Sequence, residues 1–489
     1  MPFLSYTFVA FFTIVACVNF MLPRAWRWAW LLAASLVFYG WGSPAFVLQL
    51  IAATGVAFYA GLKMDAAPDK PAKQKIMTVA VVALLLNLLV FKYTGFFNES
   101  FRGLFSAVGL TYPVPVLDLP LPLGVSFYTF LLVGYVVDVF RGTKAEKNFG
   151  IFALFSAFFP KVVSGPIERG KQLLPQLNNP PAFDPATFAW GLQLILWGVF
   201  KKAVVADRIG PLVADAYSNP AGYDGVVLTA TTWLYAFQIY CDFSGYTDIA
   251  LGVAAVLGYK LMNNFNRPYF ATSIQDFWKR WHISLTSWLT DYIFTPLSRQ
   301  KIIKVKFFTM MLWGMFITFV LSGLWHGAAW TYVIWGTLHG LYLVAFLWLQ
   351  KPWNGYARKI GLLKRPKLYR GLKIGFVFIL VCYAYVWFRA ESVADAWYIT
   401  THLLTGWGGA LGSLQAYFGD RVVVTLISLL GIGVVMISDF VWGNGFNAKA
   451  VAAWRPTWLR WGMMYAAAAS IVLLGAFYGG AQQFIYFRF

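Results

Sequence analysis

Apolar runs long enough to cross a bilayer recur along this chain, separated by short polar, basic or proline-containing breaks. Three come quickly, at about Phe3 to Leu22, Trp28 to Trp41 and Ala45 to Leu62, with Ser43-Pro44 marking the second turn. Ile76 to Tyr93 is a fourth. Beyond it Phe96, Phe97, Phe101, Leu104, Phe105 and Val108 repeat at helical spacing with Asn98, Glu99 and Arg102 among them, the pattern of a helix lying in the membrane interface. After a proline-rich link and the run from Leu123, the segment F-F-P-K-V-V-S-G-P-I-E-R at Phe158 to Arg169 cannot be one regular helix, because two prolines, a glycine and a lysine interrupt it. Broken backbone at membrane depth is tolerated only where protein or a water-filled cavity covers it, so this segment reads as re-entrant. Phe188 to Ile209, Gly225 to Tyr259, a span before Leu321, Thr331 to Leu349, Ile374 to Phe388, Val422 to Trp442 and Trp461 to Gly479 bring the count to roughly ten to twelve. The pattern specifies an all-α polytopic membrane protein.

Composition agrees, with 60% of the 489 residues apolar and only 12% charged. A net charge of +20 would suggest nucleic acid in a soluble protein, but here the Lys and Arg lie in short loops, where positive-inside bias and anionic membrane lipid account for them. No nucleic-acid partner is expected. Lys63, Lys70, Lys73 and Lys75 mark one cytoplasmic loop, and counting back three spans puts the N-terminus outside. Lys351 to Lys373, with eight basic residues and no acidic one, marks another. The first run lacks a basic lead-in and a small-residue cleavage site before Arg24, so it is expected to stay as a span. Cys17, Cys241 and Cys382 are isolated and no histidines are closely paired, which leaves no disulfide framework and no metal site to expect.

Candidate chemistry concentrates between Asp276 and Gly340, where D-F-W-K-R-W-H-I-S-L-T (Asp276 to Thr286) and L-S-G-L-W-H-G-A-A-W (Leu321 to Trp330) each carry one histidine, His282 and His326. His326 sits inside a run apolar enough to lie within a bilayer, where an ionisable side chain is a functional-site hypothesis by default. A buried imidazole can also serve only as a hydrogen-bonding strut between helices. The small residues Gly323, Gly327, Ala328 and Ala329 suggest room around His326, so that its ring lines a cavity. Lys201 and Lys202, near the middle of an apolar run, would each cost about 2.5 to 3.5 kcal/mol at a bilayer centre and are expected to snorkel or face a groove. Asp242 and Asp248, about 240° apart around a helix, fit pairing with cations on neighbouring helices better than joint acid/base work. Near the histidines lie Asn266, Arg267, Trp278, Lys279, Arg280, Trp281 and Trp325, with Arg299, Lys301, Lys304 and Lys306 beyond. Basic loops beside an apolar passage suit a ligand with phosphates at one end and an acyl group at the other, as in a coenzyme A thioester. A span starting near Lys306 would carry His326 about 30 Å along a straight helix, toward the opposite face.

The two histidine motifs, with L-A-A-S-L-V-F-Y-G-W (Leu32 to Trp41), L-P-L-G-V-S-F-Y-T-F (Leu121 to Phe130), F-F-P-K-V-V-S-G-P-I (Phe158 to Ile167), D-F-S-G-Y-T-D-I-A (Asp242 to Ala250), N-F-N-R-P-Y-F (Asn264 to Phe270) and W-F-R-A (Trp387 to Ala390), resemble the membrane-bound O-acyltransferase (MBOAT) family over nearly the whole chain. The resemblance implies one membrane domain over residues 1–489, with N-terminal helices 1–120, a catalytic core at about 121–350 and C-terminal helices 372–489, its tilted helices, re-entrant and interfacial helices ringing a central tunnel. It implies that His326 is the catalytic histidine and His282 the second polar position, which is Asn or Asp in animal members. It leaves His339 and His402 structural. It further implies acetyl-CoA as donor with no permanently bound cofactor, the bacterial inner membrane as location, and a periplasmic polysaccharide acetyltransferase as partner in acetylating an exopolysaccharide such as alginate. Alternatives are D-alanyl transfer to teichoic acid, which shares both histidines, and a lipid-linked saccharide transporter, for which paired repeats are missing. A metal-dependent glycosyltransferase lacks its Asp-x-Asp pair.

Overall fold

The structure, a computed structural model, describes residues 1–115, 119–299, 307–442, 457–476 and 484–485. Chain contacts divide it into one unit of residues 1–195 with 250–262 and another of 196–249 with 263–489.

In the first unit, Ser5 caps α1 (Tyr6–Met21) by accepting the Phe8 N–H at 3.1 Å, and α2 (Arg24–Gly40) and α3 (Ala45–Asp65) follow breaks at Pro23 and Pro44. Asp69 caps α4 (Lys70–Ala107) by accepting the Ala72 N–H at 2.8 Å. The expected span and the expected interfacial helix are therefore one helix of 38 residues, about 57 Å long. The polar interruption fails to end it because it contains no proline, and because Asn98 Nδ2 and Arg102 Nη2 donate to the Pro115 and Val114 carbonyls at 2.6 and 2.7 Å. Next come α5 (Val125–Phe140) and α6 (Phe149–Ala157), the latter capped by Asn148. Phe158 to Arg169 then runs without regular helix and is buried throughout, which meets the condition for broken backbone at membrane depth. Its charges are inside: Glu168 Oε1 accepts the Met262 N–H at 2.6 Å, and Lys161 is buried with it. The chain continues through α7 (Gly170–Asn178) into α8 (Pro185–Val199).

In the second unit, a widened π-helical turn, Phe200–Ala206, leads into α9 (Asp207–Ser218). Lys201 and Lys202 sit on that turn and neither snorkel nor face a groove. Lys202 Nζ meets Asp207 Oδ1 at 2.6 Å and Asp242 Oδ1 at 2.8 Å, while Lys201 pairs with Asp248 and donates to Ser244 Oγ at 3.0 Å. Carboxylates on α10 (Gly225–Val256) thus remove the need for solvent, and Asp242 and Asp248 have the bundle-holding role that their angular separation suggests. Asp242 Oδ2 also accepts the Ile485 N–H at 2.8 Å.

Short helices α11 (Ile274–Trp278), α12 (Ile283–Leu289) and α13 (Thr295–Ser298) lead to the basic stretch, of which Lys301, Lys304 and Lys306 lie outside the described residues. The antiparallel pair α14 (Phe307–His326) and α15 (Trp330–Lys359) is packed backbone to backbone. A Cβ on Gly323 would lie 2.2 Å from the Tyr332 carbonyl oxygen, and one on Gly336 would lie 2.3 Å from that of Phe319. Then follow α16 (Pro366–Arg389), α17 (Val393–His402), α18 (Ala410–Phe418), α19 (Val422–Trp442) and α20 (Thr457–Leu474). Among the described residues seven helical segments are long and apolar enough to span a membrane, and three shorter apolar helices accompany them. The protein is a multi-pass helical membrane protein.

Lys202→Met should cost about 3 to 5 kcal/mol, because it strands two buried carboxylates; a melt in detergent within a degree of wild type would contradict this. Gly323→Leu should separate α14 from α15 and lower the melting temperature sharply, whereas Gly371→Leu, where nothing lies within 4 Å of the new Cβ, should change it little.

Candidate functional site

His282 and His326 reach the site by different routes. The chain turns after α11 through Lys279, Arg280 and Trp281, and His282 takes a left-handed conformation (φ 44°, ψ 53°) at the start of α12. His326 is the last residue of α14, about 30 Å along the axis from its first. Their rings lie 6.4 Å apart, centroid to centroid, inclined at 60°. Trp325 stands beside both, 6.0 Å from His282 and 5.0 Å from His326.

The remaining wall is aromatic. Trp335 meets His326 edge-on at 4.9 Å, Phe388 lies 5.4 Å from it, and Phe243 meets His282 at 4.7 Å. Both imidazoles are buried, His282 wholly. That burial pushes the His282 pKa down to about 3, so the ring is neutral at physiological pH, with one nitrogen a donor and the other an acceptor. Gly323 and Gly327 do not provide the expected room. A Cβ on Gly327 would fall 2.1 Å from the Tyr332 ring, so Gly323 and Gly327 admit the first turn of α15, and what surrounds His326 is bulk.

Of the other sequence candidates, Trp325 is brought against both imidazoles. Trp281 is buried against Tyr240, Phe265, Phe277 and Tyr385, and Trp278 donates its Nε1–H to His339 Nδ1 at 3.3 Å. Asn266, Arg267, Lys279 and Arg280 are not brought into ring or hydrogen-bond contact with either histidine. The Asn266 N–H donates to the Arg280 carbonyl at 2.9 Å, and Arg280 Nε is held by Asp276 Oδ1 at 2.7 Å. Arg267 is half-buried in a left-handed conformation, and Lys279 and Arg299 are exposed. His339 packs within an aromatic group that includes Trp335 at 4.9 Å, and His402 Nδ1 lies 2.8 Å from the Tyr398 carbonyl oxygen. Among the described residues no cluster of three or more His, Cys, Asp or Glu could hold a metal ion.

Sequence reasoning missed Phe243, Trp335 and Phe388. Phe243 and Phe388 sit inside motifs already noted, D-F-S-G-Y-T-D and W-F-R-A, so their positions were marked but their role was not.

A profile of the membrane-bound O-acyltransferase family matches residues 145–388, a range that holds both histidines and all of this wall. The chain is 37% identical to a protein of Azotobacter vinelandii named probable alginate O-acetylase AlgI, over 77% of this chain and 72% of that one. It is 33% identical to the protein of the same name from Pseudomonas putida, over 98% of each. A peptidoglycan O-acetyltransferase of Helicobacter pylori is 30% identical over 81% of this chain and 76% of its own. With the histidine-bearing core matched by the profile and a relative aligned along nearly the full length, the chain belongs to the membrane-bound O-acyltransferase family.

Proposed function

We propose that this O-acyltransferase takes acetyl from cytoplasmic acetyl-CoA and passes it through the bacterial inner membrane for O-acetylation of an exopolysaccharide such as alginate, with a periplasmic acetyltransferase as partner. The observation that carries the reading is the pair of buried imidazoles, His282 and His326, 6.4 Å apart and sharing Trp325 in an otherwise apolar wall. Relatives named for acetylation of alginate and of peptidoglycan support a polymer as the final acceptor.

In this mechanism the unprotonated nitrogen of His326 accepts the proton of an acceptor hydroxyl as its oxygen attacks the thioester carbonyl. The C–O bond forms, the C–S bond breaks, and the imidazolium returns its proton to the departing thiolate, leaving coenzyme A as the free thiol. Such general acid–base work contributes about 10²- to 10⁴-fold. His282, neutral and without solvent contact, orients the thioester or the first histidine. Trp325 lines the reacting end. Trp278, Trp281, Asn266, Arg267, Lys279 and Arg280 belong to the donor's approach, where the exposed Lys279 ammonium can meet a phosphate. The aromatic walls exclude water, which would otherwise hydrolyse the thioester.

His326→Ala should lower acetyl transfer by about 10²-fold or more while leaving the amount of folded protein unchanged; polysaccharide acetylation at the wild-type level would refute the assignment. Transfer across the membrane is tested at Ala328, half-buried two residues beyond His326, because Gly327 has no space for a side chain. In a protein freed of Cys17, Cys241 and Cys382, Ala328→Cys should be labelled by membrane-impermeant thiol reagents from the cytoplasmic face and, separately, from the periplasmic face. Labelling from the cytoplasm alone, with partner proteins present, would mean that the acceptor is cytoplasmic.

A further inference from the structure

The motif N-F-N-R-P-Y-F has no part in the reaction as drawn, yet within the second unit its first residues run beside the segment that carries His282. Just beyond that histidine the Ile283 N–H donates to the Asn264 backbone carbonyl at 2.9 Å, and the Ser284 N–H donates to Asn264 Oδ1 at 3.2 Å. Just before it, the Asn266 N–H donates to the Arg280 carbonyl at 2.9 Å. His282 is held between these fastenings with positive φ, a conformation that, among the described residues other than glycine, only Arg267 shares. Side chains of L-residues crowd the backbone there, so the conformation persists only where the surroundings over-determine it.

We propose that Asn264 is a positioning residue for acyl transfer: its backbone and side-chain oxygens hold Ile283 and Ser284, and so fix the left-handed turn that keeps the His282 ring beside His326. Any residue at 264 would supply the backbone carbonyl. The second oxygen needs Asn or Asp, because the Ser284 N–H belongs to the first turn of α12 and has no helical acceptor, and because neither Ser284 nor Asn264 has exposed surface for water to substitute. Without that oxygen the turn can relax, and a displacement of about 1 Å at a reacting centre can cost about 10²-fold in rate. The inference rests on His282 belonging to the acyl-transfer site.

The test compares Asn264→Ala, Asn264→Asp, His282→Ala and the double variant Asn264→Ala/His282→Ala in the full-length protein, by kcat and KM for acetyl-CoA at matched amounts of folded protein. Asn264→Ala should lower kcat by about 10²-fold with KM little changed. Asn264→Asp, which keeps the acceptor oxygen, should recover to within about tenfold of wild type. The double variant should be no slower than His282→Ala alone, because both changes act through one imidazole. If Asn264→Ala does not fold, Asn264→Gln, which moves the oxygen by one methylene, takes its place with the same expectation. Additive losses in the double variant, or an aspartate variant as slow as the alanine one, would overturn the positioning role and leave the acyl-transfer reading intact. Full activity in His282→Ala would remove His282 from the site, and the inference with it.

Discussion

Helices α14 and α15 approach as closely as they do because Gly323 and Gly336 carry no side chains at their crossing. Much of the site follows from that contact. His326 ends α14 three residues past Gly323, and Trp335 precedes Gly336, so the backbone approach helps set the 4.9 Å between their rings. Tyr332, whose carbonyl lies over Gly323 and whose ring lies over Gly327, packs against Phe388 at 5.1 Å, and Phe388 in turn walls His326. Gly323 and Gly327 open no space at the histidine and instead bring a large residue, Tyr332, near.

A second constraint acts through charge. Two ammonium groups buried beside aspartates would be costly if mismatched, so the ion pairs of Lys201 and Lys202 hold α10 in one register. Asp242 and Phe243 are consecutive on α10, and the carboxylate that meets Lys202 thereby fixes the ring that meets His282 at 4.7 Å. Pairing of charge in the bundle and packing of the site are one arrangement seen from two sides of a helix.

Where sequence alone sufficed and where it did not has a physical pattern. Membrane spans were legible because apolar length is a local property, and so was the break at Phe158 to Arg169, since proline and glycine act on their own backbone. The continuity of α4 was not, because Asn98 and Arg102 donate to carbonyls a dozen or more residues away. Likewise the fate of Lys202 depended on Asp242, forty residues on. His326 could be singled out as a rare ionisable group in an apolar run and His282 by its motif, but the wall around them draws Phe243, Trp335 and Phe388 from three separate helices, and no periodicity connects those. Room around His326 was misread for the same reason: a glycine announces an absence without saying what fills it.

The left-handed backbone at His282 also acts as a filter on what can stand there. Apart from glycine, the residues that most often tolerate positive φ are Asn, Asp and His, whereas β-branched and bulky side chains are outliers in that conformation. Those three are the ones that the family resemblance puts at this position, Asn or Asp in animal members and His here. Their interchange need not mean that a carboxylate, an amide and an imidazole do equivalent chemistry. A turn that admits few side chains restricts the alphabet before any chemistry does.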